Sequence, residues 1–356
     1  MMIILCGASL SAKAEEVSWT EKVSFKGDLR LREEWIDQEG KNERTRTRLR
    51  ARLSATAQVN DTVQVKLRLA SGSDDPVSSN QTLDDGFSSK DIQLDRAYVI
   101  WSPDKVEGID LLGGKMLVLF LKVKGLLWDG DLNPEGVAAQ YTSEGDVATF
   151  YFNGAVLVPE ERSSESETYL YGVQAAVEAG PVIGGAGFFY YDNMRGFPTF
   201  FDPTDGFGND VVDMVDPLTM EVTQTLYAED FSELELFAKA KLDLGIPVMV
   251  YGDYVNNTEA TTEDSGFMFG ITFGKSKDPG TFQMDYNYPD LEANVVVGIF
   301  TDSDSGGGGT DVEGYRLQAK HQLAKSLQLS ATIFVNEIDN GSKDYNRGQL
   351  DLIAKF

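Results

Sequence analysis

Residues 44–58 read RTRTRLRARLSATAQ, and the parity of this stretch decides the fold. Arg44, Arg46, Arg48, Arg50 and Arg52 occupy consecutive even positions, while Leu49, Ala51, Leu53, Ala55 and Ala57 hold odd ones. A helix would scatter the arginines around its cylinder. A strand, whose side chains repeat every second residue, puts all five on one face and the apolar residues on the other. Were the apolar row to meet lipid, the arginine row would have to meet water, because an arginine on the lipid side costs about 2–4 kcal/mol at the bilayer midplane.

The same period recurs on both sides of this stretch. Val23, Phe25, Leu29 and Leu31 alternate with Ser24, Lys26, Asp28, Arg30 and Arg32; Val63, Val65, Leu67 and Leu69 alternate with Gln64, Lys66 and Arg68. Further along, Leu234, Leu236, Ala238, Ala240 and Leu242 oppose Glu233, Glu235, Lys239 and Lys241, and Phe282, Met284, Tyr286 and Tyr288 oppose Gln283, Asp285 and Asn287. Tyr315, Leu317 and Ala319 oppose Arg316, Gln318 and Lys320, and Leu327, Leu329, Ala331 and Ile333 oppose Gln328, Ser330 and Thr332. The residues of 233–244 are good helix formers, but the period overrules their propensity. The phases of 92–101 and 182–191 are mixed and leave their faces unassigned.

Composition agrees with many strands. No run approaches the roughly 20 consecutive apolar residues of a membrane-spanning helix. The chain has 356 residues with 35 Gly, 20 Phe and 14 Tyr, which suits strands, turns and aromatic belts. The pattern predicts an all-β fold: a transmembrane antiparallel barrel of about sixteen strands, the even number putting both termini on one side. The strands fall near 22–35, 45–58, 62–71, 92–101, 108–117, 136–143, 147–157, 169–179, 182–191, 229–244, 247–256, 266–274, 281–289, 312–322, 327–336 and 347–356. Short connections (59–61, 102–107, 143–146, 180–181, 245–247, 275–280, 324–326) alternate with long polar ones (36–44, 72–91, 118–135, 158–168, 192–228, 257–265, 290–311, 337–346). Short turns on the periplasmic side and long loops outside are the barrel pattern. A soluble β-sandwich would lack this asymmetry.

Apolar residues 3–10 and Ala12-Lys13-Ala14 ahead of Glu15 read as the end of a secretory signal at 1–14, its basic start missing, with one barrel domain over 15–356. Cys6, the only cysteine, falls in that segment, which leaves the mature chain without a thiol. The formal net charge of −26 excludes nucleic acid as a partner.

The final strand presents Leu350, Leu352, Ala354 and the terminal Phe356 on one face. In this the chain resembles bacterial outer-membrane proteins, whose last strand ends in an aromatic residue read by the assembly machinery; the resemblance implies that role for Phe356. The run WDGDLNPEG at 128–136 and TDSDSGGGGTD at 301–311 resemble a family of bacterial outer-membrane porins, and the likeness spans nearly the whole mature chain. It implies a sixteen-stranded barrel in the outer membrane of a Gram-negative bacterium. It also implies passive passage of small hydrophilic solutes and ions, contact with outer-membrane lipid, a homotrimer as one assembly, and no enzymatic activity. In porins the loop at the position of 118–135 folds inward, although Leu117–Leu127 is more apolar here than that pattern leads one to expect.

Read together, Arg44, Arg46, Arg48, Arg50 and Arg52 with Arg30, Arg32, Lys66 and Arg68 form a basic wall expected to line the lumen. Asp129, Asp131 and Glu135 are the carboxylates expected to face it, giving a transverse field that favours polar solutes. The plainer alternative is neutralisation of the wall by cross-strand partners such as Asp28 and Glu34. Two further readings stay open: a selective channel for phosphate or carboxylates, and a structural or adhesive barrel plugged by its own loops. Asp302, Asp304 and Asp311 could hold Ca²⁺, but their spacing matches no fixed metal loop, and a flexible outer loop explains the glycine run. No cofactor is expected. His321, the only histidine, would have to serve any hydrolase chemistry, yet no motif surrounds it.

Overall fold

A computed structural model describes residues 22–356. The secretory segment expected at 1–14 lies outside the described residues. Sixteen long strands form the wall: β1 (Val23–Gln38), β2 (Arg44–Asn60), β3 (Val63–Ser71), β4 (Ile92–Trp101), β5 (Ile109–Lys115), β6 (Glu135–Glu144), β7 (Ala148–Glu160) and β8 (Thr168–Ala179) make the first half. The second half is β9 (Val182–Tyr191), β10 (Phe231–Asp243), β11 (Pro247–Asn257), β12 (Ser265–Gly274), β13 (Phe282–Leu291), β14 (Val312–Ala324), β15 (Leu327–Ile338) and β16 (Lys343–Lys355). Each pairs antiparallel with its neighbour, and β1 pairs with both β2 and β16, as in Leu31↔Leu49 and Leu31↔Leu352, so the sheet closes and no long edge is left open. Among the described residues no helix is long and apolar enough to cross a membrane.

The alternating parity is resolved into two faces. Leu29 and Leu31 are 41% and 43% exposed on the outside, whereas Arg32 and Glu34 just beyond them are 4% and 0% exposed. The outer row continues around the barrel through Leu67, Phe152, Val173, Leu236, Phe269, Met284, Leu317 and Leu352, all exposed. Such a continuous apolar exterior is stable only against hydrocarbon.

The two segments with mixed phase now have faces. In β4 the register shifts between Arg68↔Arg96 and Leu69↔Leu94, so Asp95 is an extra residue. This bulge flips the parity, so that Leu94 at an even position and Val99 at an odd one both face out. In β9 the inner row of Ile183, Phe189 and Tyr191 is itself apolar and buried, because it packs against protein rather than water.

Candidate functional site: the charged side of a half-filled lumen

Two of the long connections turn into the barrel. Residues 116–134 run along the inner face of β6 and β8, where inward-facing Gln174 accepts from the Leu121 N–H (2.7 Å) and donates to the Leu121 carbonyl (2.8 Å), and Gln140 donates to the Leu119 carbonyl (2.9 Å). The apolar run Leu117–Leu127 finds its reason here. Val118, Leu119, Phe120, Val123, Leu126 and Leu127 are all buried. The Phe120 ring stands edge-on to Phe189 of β9 at 4.8 Å, and Trp128 does the same at 5.2 Å.

Residues 292–311 also fold inward. Val295, Val296, Val297 and Ile299 are at most 4% exposed, and the Val297 N–H donates to Glu233 of β10 at 3.1 Å. The glycine run expected to be a flexible outer loop is instead packed: Gly309 has φ +108, and a Cβ there would stand 2.3 Å from the Phe207 carbonyl oxygen. That contact admits only glycine. Phe207 belongs to the long 192–230 connection, whose Asn209 clamps the same loop by donating to the Ala293 and Val296 carbonyls at 2.7 and 2.8 Å and accepting from Gly298 N–H at 2.8 Å. Together these segments fill one side of the lumen with an apolar core.

The other side is ionic. Arg50 and Arg52 of β2 both bind Asp28 of β1 at 2.8 Å, and Arg46 and Arg347 both bind Glu34. Arg32 makes two bonds to Asp351 (2.7 and 3.0 Å). The inward loops supply the rest: Asp131 accepts from Arg52 and from the Ser79 hydroxyl, each at 2.9 Å, and Asp304 binds Arg32 at 3.1 Å and Arg347 at 2.7 Å. Both sources of negative charge that the sequence suggested are thus present. Of the loop carboxylates, Asp131 and Asp304 touch the arginines directly; Asp129 and Glu135, also expected to face the wall, do not.

Three chambers follow this ionic side. The outermost, about 400 Å³, is bordered by Arg44, Arg46 and Arg48. The central one, about 430 Å³, shares Val77, Thr301, Ser303, Asp304 and Gly309 with it. The innermost, about 320 Å³, shares Arg30, Arg50, Arg316 and Lys320 with the central one. Burial and the neighbouring Asp302 push the Asp129 carboxyl well above its ordinary range, while Arg50 and Arg52 outweigh burial and hold Asp131 below it.

A sequence family described as "Putative porin" matches residues 36–183 and 215–356. The chain belongs to this family. No curated protein matches the chain. Among solved structures, this porin resembles the "High pH structure of Pseudomonas putida OprB", with TM-score 0.61 and 10% identity over 95% of each chain. It also resembles a porin of Rhodopseudomonas blastica (TM-score 0.54, 10% identity, 94% of this chain and 100% of the other). A loop-deleted OmpT, an outer-membrane protein of Vibrio cholerae, gives 0.53, 14%, and the same coverage. At such identities the likeness is one of fold. Family and fold together make the chain an outer-membrane porin.

Not every residue singled out in the sequence of this porin joins the ionic side. Glu135 opens β6 and binds Lys115 at 2.9 Å, away from the arginine wall. Asp129 is buried, accepts from the Asp131 and Ser303 N–H groups at 2.6 and 3.0 Å, and so ties the two inward loops to each other. Arg68 binds Asp95 and lies under Asn133, and Lys66 is half-buried on β3; neither borders the three chambers. Asp302, Asp304 and Asp311 diverge: Asp302 accepts from the Asp304 N–H (3.0 Å) and Asp311 from the Asn340 N–H (2.8 Å). Among the described residues no cluster of three metal-ligating side chains forms. The His321 ring stacks on Phe282 at 4.0 Å. The Phe356 ring lies over Gly27, and its N–H and carbonyl bond to Gly27 at 3.0 and 2.9 Å across the closing seam.

The strand reading passed over Asp351 and Arg347 as functional residues. The period that found the arginines also put these on inner rows; what was missing was the pairing across β1 and β16, which joins the two ends of the chain.

Proposed function

We propose that this porin passes small hydrophilic solutes and ions down their gradients along the ionic side of its lumen, without chemistry or cofactor. The carrying observation is the chain of three chambers with shared walls, running beside Arg44, Arg46 and Arg48 to Arg30, Arg50 and Lys320. Neutral apolar molecules would have to strip the waters bound to this wall, whereas polar ones exchange one set of hydrogen bonds for another. Reconstituted in planar bilayers, the protein is expected to conduct, and an Arg48→Ala, Arg50→Ala double variant is expected to change conductance and ion preference. Unchanged values would remove the arginines from the path.

A second reading, preference for anions, is favoured by the local charge count. The outermost chamber is bordered by five cationic side chains against two carboxylates, in a chain of net charge −26. The reversal potential in a salt gradient decides it, since control by the acidic outer surface would select cations. For the Phe356 end, contact with the assembly machinery is supported by its exposed ring, and deletion of Phe356 is expected to lower the yield of folded barrel in the membrane.

A further inference from the structure

The passage proposed above has a centre that is short of anions. Six cations and four carboxylates border the central chamber, but the carboxylates are engaged elsewhere. Asp131 is bound mainly by Arg52 at 2.9 Å, with the chamber's Arg50 at 3.9 Å, and Asp304 by Arg32 and Arg347; Arg52, Arg32 and Arg347 do not border this chamber. Burial raises the carboxyls of both Asp129 and Asp302, with Asp302 repelling Asp129 and Asp304 repelling Asp302, which reduces the negative charge they bring.

The cations are correspondingly under-used. Arg316 and Lys124 share a single carboxylate, Asp285, at 3.2 and 3.1 Å. The nearest carboxylate to Arg30 is Asp351 at 3.9 Å, already occupied by Arg32, and the side-chain hydrogen bond that Arg30 makes goes to the neutral Asn80 amide. Among the described residues Lys122 donates only to the carbonyls of Trp128 and Asp129, at 3.3 and 2.9 Å. Lys320 has no carboxylate within 4 Å among the described residues. Ammonium and guanidinium groups with spare N–H donors, beside an open chamber of about 430 Å³, are the half of a charge-assisted hydrogen-bond set that an oxyanion completes.

We infer that the central chamber is a saturable binding station for one small dianion bearing carboxylate or phosphate oxygens, held by Lys320 and Lys122 with Arg30 and Arg316 around it. A neutral solute cannot neutralise these charges. A chloride ion neutralises one of them and offers no fixed array of acceptors, whereas a dianion meets several donors at once and stays longer. The station raises the flux of scarce dianions down their gradient at low concentration, which a plain sieve does not.

The test is calorimetric titration of inorganic phosphate, and separately of succinate, into the detergent-solubilised full chain, with chloride as the reference. Saturable one-to-one binding of either, and not of chloride, is expected; which of the two binds separates a phosphate from a dicarboxylate station. Lys320→Gln should weaken binding roughly tenfold or more, the loss of one bond to a charged group, and Lys320→Arg should restore most of it. Lys122→Gln, on a loop instead of a strand, gives the same reading should Lys320→Gln fail to fold. No saturable binding of either anion, or an unchanged affinity in folded variants, overturns the station. Conductance in potassium chloride is measured alongside: a conducting protein without anion binding refutes the station alone, and a binding protein that never conducts refutes the pore.

Discussion

Breaking the contact between Asp131 and Arg52 should free the 116–134 loop from the wall. Asp131 accepts from Arg52 Nη1 and from Ser79 Oγ at 2.9 Å each, with side chains 19% and 17% exposed at the ionic contact, so solvent screens it only partly. A hydrogen bond to a charged group contributes about 1.5–3 kcal/mol. Arg52 keeps Asp28 at 2.8 Å when Asp131 is removed, so its guanidinium is not orphaned and the lower end applies. A double-mutant cycle of Asp131→Ala and Arg52→Ala should therefore give a coupling of about 1–2 kcal/mol. At 1.4 kcal/mol per factor of ten, Asp131→Ala should raise the population with the loop detached roughly tenfold. Reversible urea unfolding in lipid vesicles, followed by tryptophan fluorescence, measures the coupling, and single-channel recording should show added current noise from the loosened loop. A coupling below about 0.5 kcal/mol, within the range of additive sites, would mean that the Asp131–Arg52 contact does not hold the loop.

Gly172 of β8 faces inward, and a Cβ there would stand 2.5 Å from Phe120 Cζ. Gly172→Ala should thus destabilise by about 1–3 kcal/mol, and Phe120→Leu in the same chain should recover part of this in the urea midpoint. On the outer face, Leu31→Arg should cost about 2–4 kcal/mol in vesicle unfolding; a cost below about 0.5 kcal/mol would mean that this row does not meet lipid. The clasp between the inward loops carries a pH dependence. Burial, then Asp302, raises the Asp129 carboxyl, so the folded chain holds a proton that the unfolded chain releases above about pH 4, and stability falls as pH rises toward the raised value. Limited proteolysis of the loops should accordingly speed up as pH rises above about 4, and Asp129→Asn, which keeps the shape and cannot ionise, should flatten the profile.

Much of this molecule can be read without coordinates because a closed barrel between lipid and water imposes a period of two on every strand. Arg44 to Arg52 could only lie on the inner row, and the alternation of short and long connections follows from strands that cross and return. The period failed in two places for physical reasons. A bulge at Asp95 shifts the phase of β4, and the inner row of β9 is apolar because it faces packed protein.

The apolar stretch Leu117–Leu127 looked out of place beside a water-filled pore, and it was the one local sign that part of the lumen is filled. Residues 301–311 carried no such sign: their glycines read as mobility, when the tight approach of the Phe207 backbone requires a glycine at 309.

Chain order and side-chain parity were therefore enough for the barrel, its outward face and the basic row, since those depend on neighbours one or two residues apart. Which carboxylates meet which arginines, and which side of the lumen stays open, depends on closing β1 against β16 and on folding three distant loops into one interior. Partners such as Arg32 and Asp351, 319 residues apart, are brought together only by that closure.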